Sequence, residues 1–331
     1  MRNRLITLML AAVFMLGLAA EAASQSLIVY TSMKESLIGR IRDGFIKKYP
    51  DIKMDYQSAG AGKLMAKIAA EHESGKILAD VLWTSEVPDF YKMKEEGKLE
   101  KYVSQATKDP NYLNPFNDYD GHFAAARLGT LGIAYNTKSI KNPPRAWDDL
   151  FTPPYKNAFG IANPALSGTA YMSVALLEKQ FGWGFFDKLA ANKARIGKGS
   201  GQVVDDTASG ELAASLAVDY IANDKIAKGA PLALVYPPEM LIAPSPVAII
   251  KNATNMESAK KFVDYLLSKE AQTLIAEEGT LPARDDVSMP SKYGLPQPSE
   301  ALKRSIKINY PEMMAKKEST VKKFVDTLQK K

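Results

Sequence analysis

The 331-residue chain contains no cysteine. That excludes a disulfide framework, a thiolate metal site, a cysteine nucleophile and the lipid-bearing cysteine of a lipoprotein. Histidine is scarce: His72 falls in a helical pattern and His122 in a loop rich in Gly, Asp and Tyr. Neither sits in a motif of metal ligands or of a catalytic base, so each is expected to be an ordinary surface or loop histidine. There is no G-x-S-x-G nucleophile turn and no H-E-x-x-H, so an exported enzyme is the weaker class. Repeats and low-complexity tracts are missing too, and with them the pattern of a structural or adhesive protein. No dense Lys/Arg stripe carries interleaved aromatics, so a net charge of +6 does not indicate nucleic acid. The basic tail (Lys316, Lys317, Lys322, Lys323, Lys330, Lys331) alternates with acids and apolar residues, as a solvated helix face does.

Long apolar runs are rare, with one exception. Arg2 and Arg4 precede a run from Leu5 to about Ala20, and Ala20-Glu21-Ala22 offers small residues for signal peptidase. Residues 1–22 are therefore expected to be a cleaved secretory signal. No later run is long enough to span a bilayer. Removing the signal takes away two Arg and one Glu, leaving a charge of about +5. A soluble, exported, cysteine-free chain of this kind fits the Gram-negative periplasm, and a monomer is expected.

What is present is an alternation of strands and helices, in a chain long enough for two domains. SLIVYTS is an apolar run with a small polar exit. KESLIGRIRDGFIKKYP places Leu37, Ile38, Ile41, Phe45 and Ile46 at helical spacing and stops at Tyr49-Pro50. DIKMDYQ alternates like a strand, SAGAGKLMAKIAAEHESGK opens a second helix after a glycine-rich turn, and ADVLWTSE is a buried strand with a polar exit. This order predicts a parallel sheet of the α/β class. A second α/β block follows, through RLGTLGIAYNTKSI, KNAFGIANP, a short helix SGQVVDDTASGE closed by Gly210, and a strand ELAASLAVDY ending at Asp219-Tyr220. LALVYPPEMLIAPSPVAII reads as two strands broken by prolines, and helices close the chain.

The strand ends share a chemistry: Thr31-Ser32, then Ser58 to Gly62, then Thr84-Ser85-Glu86. Ligands of open α/β sheets bind beyond the carboxyl ends of the strands, so one shared site is predicted there. NPALSGTAYM lies between a strand-like and a helix-like run. Its Ser167-Gly168-Thr169 is either an ordinary helix N-cap or a cradle for an anion, and the residues alone leave both open.

This order of elements resembles the periplasmic solute-binding proteins of ABC importers, over essentially the whole mature chain. LIVYTSMKESLIGRIRDGFIKKYPDIKM, ADVLWTSEVPDFYKMKEEGKLEKY, LGIAYNTKSIKNPPRAWDDLFTPPYKNAFGIANP, SGELAASLAVDY and NMESAKKFVDYLLSKEAQ carry it together. The resemblance implies an α/β, two-lobed, class II periplasmic-binding-protein fold with the ligand cleft between the lobes. The first lobe is expected from residues 23–130 and 245–331 and the second from 131–244, with crossings near Leu128 to Ile133 and Met240 to Pro246. A small solute, an inner-membrane ABC permease as partner, no cofactor and no nucleic acid are implied.

Within this class the chain resembles the ferric-ion-binding proteins and their relatives that bind hexose phosphates or aminoethylphosphonate. The ferric pattern implies a His after the first strand, a Glu after the third, an adjacent Tyr pair later, and a bound anion. Those positions fall here on Met33, Glu86 and Tyr220-Ile221. Ferric ion prefers anionic oxygen ligands, so Glu86 and Tyr220 alone leave the site incomplete, and an iron-binding protein is the second reading. Ser167-Gly168-Thr169 falls on the triplet that holds the anion. The leading expectation is therefore a small anionic solute, a phosphate ester or phosphonate, without a metal. Its expected contacts are Thr31, Ser32, Ser58, Gly62, Ser85, Glu86, Ser167, Gly168, Thr169, Ser200, Asp206, Tyr220 and Glu239. The carboxylates among them suit sugar hydroxyls or an ammonium group. Of the neighbours Asp205 and Asp206, one is expected to face the cleft and the other solvent.

Overall fold

The computed structural model describes residues 25–116, 120–307 and 309–329. The expected signal segment and the tail residues Lys330 and Lys331 lie outside them. β1 (Gln25–Thr31) buries Leu27, Val29 and Tyr30. α1 (Glu35–Lys48) then lays Leu37, Ile38, Ile41 and Phe45 against the sheet. Ile46, read as part of that stripe, is exposed. Nine positions after Leu37, it lies about half a turn round the helix from that residue and so leaves the stripe. β2 (Ile52–Ser58), α2 (Ala61–Glu73), β3 (Val81–Trp83), α3 (Val87–Glu95) and β4 (Ala124–Arg127) complete the first pass.

The chain crosses at residues 128–129 into β5 (Thr130–Asn136), β6 (Phe159–Ala162), α4 (Gly168–Phe181) and α5 (Gly184–Ala191). β7 (Arg195–Gly197), α6 (Ser200–Ser209), β8 (Ala214–Val218), α7 (Asp219–Ala227), β9 (Leu232–Val235) and β10 (Leu241–Ile242) follow. The expected strand through Asp219-Tyr220 stops at Val218, and those two residues open α7 instead. The chain returns through residues 243–244 to β11 (Ser245–Ile249), α8 (Met256–Leu266), α9 (Lys269–Glu277), α10 (Pro298–Arg304) and α11 (Tyr310–Gln329).

Two sheets result, ordered β2-β1-β3-β11-β4 and β10-β5-β8-β6-β7, with β9 also paired to β5. Each carries helices, giving two α/β lobes. In the first sheet the expected parallel pairing is seen for β1, β2 and β3. β11 runs antiparallel to both β3 and β4. It enters from the other lobe, so its direction is opposite to that of strands reached within the first. The parallel register sets Thr31 beside Ser58 and Trp83. Three carboxyl ends therefore meet at one edge.

α11 touches both lobes. Its Met313 carbonyl accepts from the Tyr171 hydroxyl (2.5 Å), its Thr327 accepts from the Trp183 indole, and Phe324 packs edge-on against Phe186. On the other side Tyr310 stacks on Tyr91 of α3. Lys316 and Lys322 make exposed i,i+4 pairs. Lys317, expected on the same solvated face, instead turns inward to Glu86 and Asp89.

Candidate ligand-binding cleft

A cavity of about 340 Å³ opens between the two lobes at the strand edge just described. Ser32, Ser58 and Ser85 line it from the first lobe. Their backbone is fixed by cross-links between strand ends: Ser85 N–H donates to Ser32 Oγ (3.1 Å), and Ser58 Oγ donates to the Met33 carbonyl (2.6 Å). Ser167, Gly168, Thr169, Ser200 and Tyr220 line it from the second lobe. The hydroxyls of Ser167, Thr169 and Ser200 form a triangle with sides of 2.7, 3.0 and 3.1 Å.

Helix ends converge here. α2, α4 and α6 all begin on the cavity wall, at Gly60-Ala61, Ser167-Gly168 and Gly199-Ser200. α2 and α6 are capped by glycine, so no side chain occupies their first N–H groups. Free N–H groups and the positive end of the helix dipole both favour an anion. Ser167 is an N-cap as well, though a weak one, since Ala170 N–H reaches its Oγ at 3.4 Å. The two possibilities for this triplet are thus compatible.

Four cations join them that the sequence did not single out: Lys34, Lys63, Arg127 and Lys198. Arg127 is only 1% exposed. Its Nε donates to Ser245 Oγ (3.0 Å), and its Nη1 donates to Asp219 Oδ1 (3.1 Å) and to Thr280 Oγ1. Among the described residues Nη2 has only a long contact to Ser85 Oγ (3.5 Å), which leaves donor capacity at the cavity wall. Asp219 is saturated. Thr130 N–H, Thr130 Oγ1 and Thr280 Oγ1 donate to its Oδ2, and Tyr220 N–H adds to Arg127 on Oδ1. This carboxylate orients Arg127 and has nothing left for a ligand.

Five expected contacts lie elsewhere. Thr31 is fully buried, and its Oγ1 accepts from Met33 N–H (3.0 Å). Gly62 faces the Ala165 carbonyl across the lobe boundary rather than the cavity. Asp206 sits on α6 more than a turn beyond Ser200, about 9 Å along the axis, and its neighbour Asp205 pairs with Lys225 (2.5 Å); neither faces the cleft. Glu239 lies in the segment before β10, where its carbonyl accepts from the Trp147 indole.

Glu86 is the fifth. It is 1% exposed and ion-paired with Lys317, which also holds Asp89 (2.7 Å). Burial, with the nearby Asp89 charge, raises the Glu86 carboxyl above its ordinary range. Met33 is buried in the core. The Tyr220 phenol is pushed up to about 12 by burial, and its oxygen accepts from Lys34 N–H (2.9 Å). The two candidate iron ligands are therefore a carboxyl group already held by Lys317 and a protonated phenol.

The glycines mark where the lobes meet. A Cβ on Gly60 would lie 2.3 Å from the Leu166 carbonyl oxygen, and one on Gly62 2.4 Å from that of Ala165. A Cβ on Gly168 would lie 2.6 Å from the Glu86 Cβ. The missing side chain of Gly168, expected to let the backbone approach a ligand, lets the lobes approach each other.

Comparison with known proteins agrees with this architecture. A Haemophilus influenzae protein without an assigned role is 30% identical over 280 residues, 80% of each chain. A Salmonella typhimurium protein named for 2-aminoethylphosphonate binding in the periplasm is 28% identical over 268 residues, 74% of each chain. The structure of the periplasmic binding protein AfuA from Actinobacillus pleuropneumoniae, with fructose-6-phosphate bound, superposes with a TM-score of 0.77 at 26% identity. That match covers 92% of this chain and 99% of AfuA. Residues 76–304 match the family model described as bacterial extracellular solute-binding protein. With two lobes, a cleft between them and a family match over most of its length, the chain belongs to the bacterial extracellular solute-binding proteins.

Proposed function

We propose that this protein is the periplasmic binding component of an ABC importer. It captures a small anionic solute, a phosphate ester or phosphonate, by lobe closure and hands it to an inner-membrane permease. One observation carries the ligand class. The cavity is lined by three lysines, an arginine, hydroxyls and helix N-termini, and by no carboxylate among the described residues. Such a wall stabilises negative charge through cations, charge-assisted hydrogen bonds and helix dipoles together. Its volume suits a small solute.

Binding rather than turnover is the reading the wall supports. The hydroxyls of Ser167, Thr169 and Ser200 bond one another, and Asp219, buried behind the wall, is engaged with Arg127, so among the described residues none of these hydroxyls is paired with a free base. The iron reading is disfavoured because Lys317 occupies the place of a cation beside Glu86.

The test is a thermal-shift panel on residues 23–331, with phosphorylated sugars, phosphonates, inorganic phosphate and ferric salts. A solute at a hundred times its Kd stabilises by about 2.7 kcal/mol, or several degrees for a protein of this size. Stabilisation by phosphorylated or phosphonate compounds without turnover is expected. Stabilisation by ferric salts alone would replace this reading with the iron-binding one.

A further inference from the structure

Resting on the anionic-solute reading and narrowing it, we infer that the solute carries two separate anionic groups and no ammonium group. The cleft is graded in depth. Its inner wall holds Arg127, whose Nη2 keeps donor capacity beyond its long contact to Ser85 Oγ, and the hydroxyl triangle of Ser167, Thr169 and Ser200. Ser167 and Thr169 are buried, as is Arg127. A phosphoryl group fits there: it has three acceptor oxygens, and the wall offers a guanidinium, three hydroxyls and two helix N-termini.

The mouth is different. Lys34, Lys63 and Lys198 line the cavity yet are exposed. They come from both lobes, and Lys34 reaches across: its Cε lies 3.7 Å from the place a Cβ on Gly201 would take. Arg127 is offset by Asp219, so among the described residues these three lysines are the uncompensated charge of the cleft. A phosphoryl dianion leaves one of the three positive charges over. A carboxylate or a second phosphoryl group at the mouth takes it up.

An ammonium group has no place in this lining. The acids expected to meet one are absent from it, since Glu86 is held behind Gly168 by Lys317, and Asp206 and Glu239 lie off the cavity. The aromatic ring at the wall, Tyr220, is already covered by the Arg127 guanidinium at 5.0 Å. A ligand ammonium would sit among three lysines without a counter-charge, and like charges brought together oppose binding.

Titration calorimetry on residues 23–331 tests this with two matched pairs that differ by one anionic group. These are 3-phosphoglycerate against glycerol 3-phosphate, and fructose 1,6-bisphosphate against fructose 6-phosphate, with 2-aminoethylphosphonate as the zwitterion. In at least one pair the second anionic group should tighten binding about tenfold or more, the range of a charge-assisted contact. The zwitterion should bind more weakly than either single-phosphate compound. The double variant Lys34→Gln, Lys198→Gln should shrink the gap within the tighter pair several-fold, since both side chains are exposed and their substitution spares the core. If glycerol 3-phosphate or fructose 6-phosphate binds and neither second group helps, the inference falls while the anionic reading stands. Tighter binding of the zwitterion than of both single-phosphate compounds has the same consequence. Silence from all five compounds overturns the anionic reading, and this inference with it.

Discussion

Gly62→Ala separates lobe closure from ligand contact, because Gly62 belongs to the lobe boundary and not to the cavity wall. The added Cβ would lie 2.4 Å from the Ala165 carbonyl oxygen and 3.4 Å from its carbon. An ordinary carbon–oxygen contact is about 3.3 Å, so the lobes must part there by close to ~1 Å. The opposing atom is backbone and cannot rotate aside as a side chain would. Overpacking of this kind costs about 1–3 kcal/mol. Charged wholly to the closed form, it weakens binding by about 5- to 150-fold. The open form meets no such clash, and there alanine is favoured over glycine in a helix by up to about 1 kcal/mol. The ligand-free Tm should therefore hold or rise while affinity falls. Calorimetry with a phosphorylated solute and small-angle scattering with and without it read the two effects. Wild type should contract on binding, and the variant should contract less. A variant with wild-type affinity and full contraction would refute the idea that this glycine contact forms on closure.

Other expectations follow from single contacts. Ser167→Ala should weaken binding about tenfold and cost at most about 1 kcal/mol of stability, since its cap bond is long; unchanged affinity in a folded variant would reduce the triplet to a helix cap. Lys317→Met leaves Glu86 and Asp89 buried without their cation, and should destabilise by about 1–3 kcal/mol, less than a pair unable to take up a proton; an unchanged urea midpoint would count against the pair. The raised Glu86 carboxyl holds a proton in the folded state that the unfolded chain, with its ordinary value of 4.5, has released. Wild-type stability therefore drains as pH climbs from about 5 to 8. Glu86→Gln lacks that slope, so its Tm should gain on wild type across the range, and parallel profiles would refute the assignment. Chelated ferric ion should give no intense tyrosinate-to-iron band; a band abolished by Tyr220→Phe would restore the iron reading.

The α/β order, the helix of Leu37, Ile38, Ile41 and Phe45, and the Gly210 stop were legible in the sequence because each depends on neighbours within a few turns. The serines of the cleft were legible for a related reason. Parallel strands share an edge, so the residues just past each strand are brought together once the strands are found. Arg127 and the three lysines were not, because nothing local distinguishes them among 43 Lys and Arg residues. Glu86 misled in the opposite way. Its position after the third strand marks it as a ligand, but Lys317 of a helix near the end of the chain, 228 positions beyond Asp89, claims both carboxylates. The antiparallel β11 was hidden likewise, since its direction depends on which lobe the chain returns from. Periodicity, caps and strand exits are short-range properties that a sequence carries in its spacing. Which charge meets which, and which face of a glycine meets the other lobe, depends on segments hundreds of residues apart being packed to within a few ångströms, and only the tertiary structure decided those.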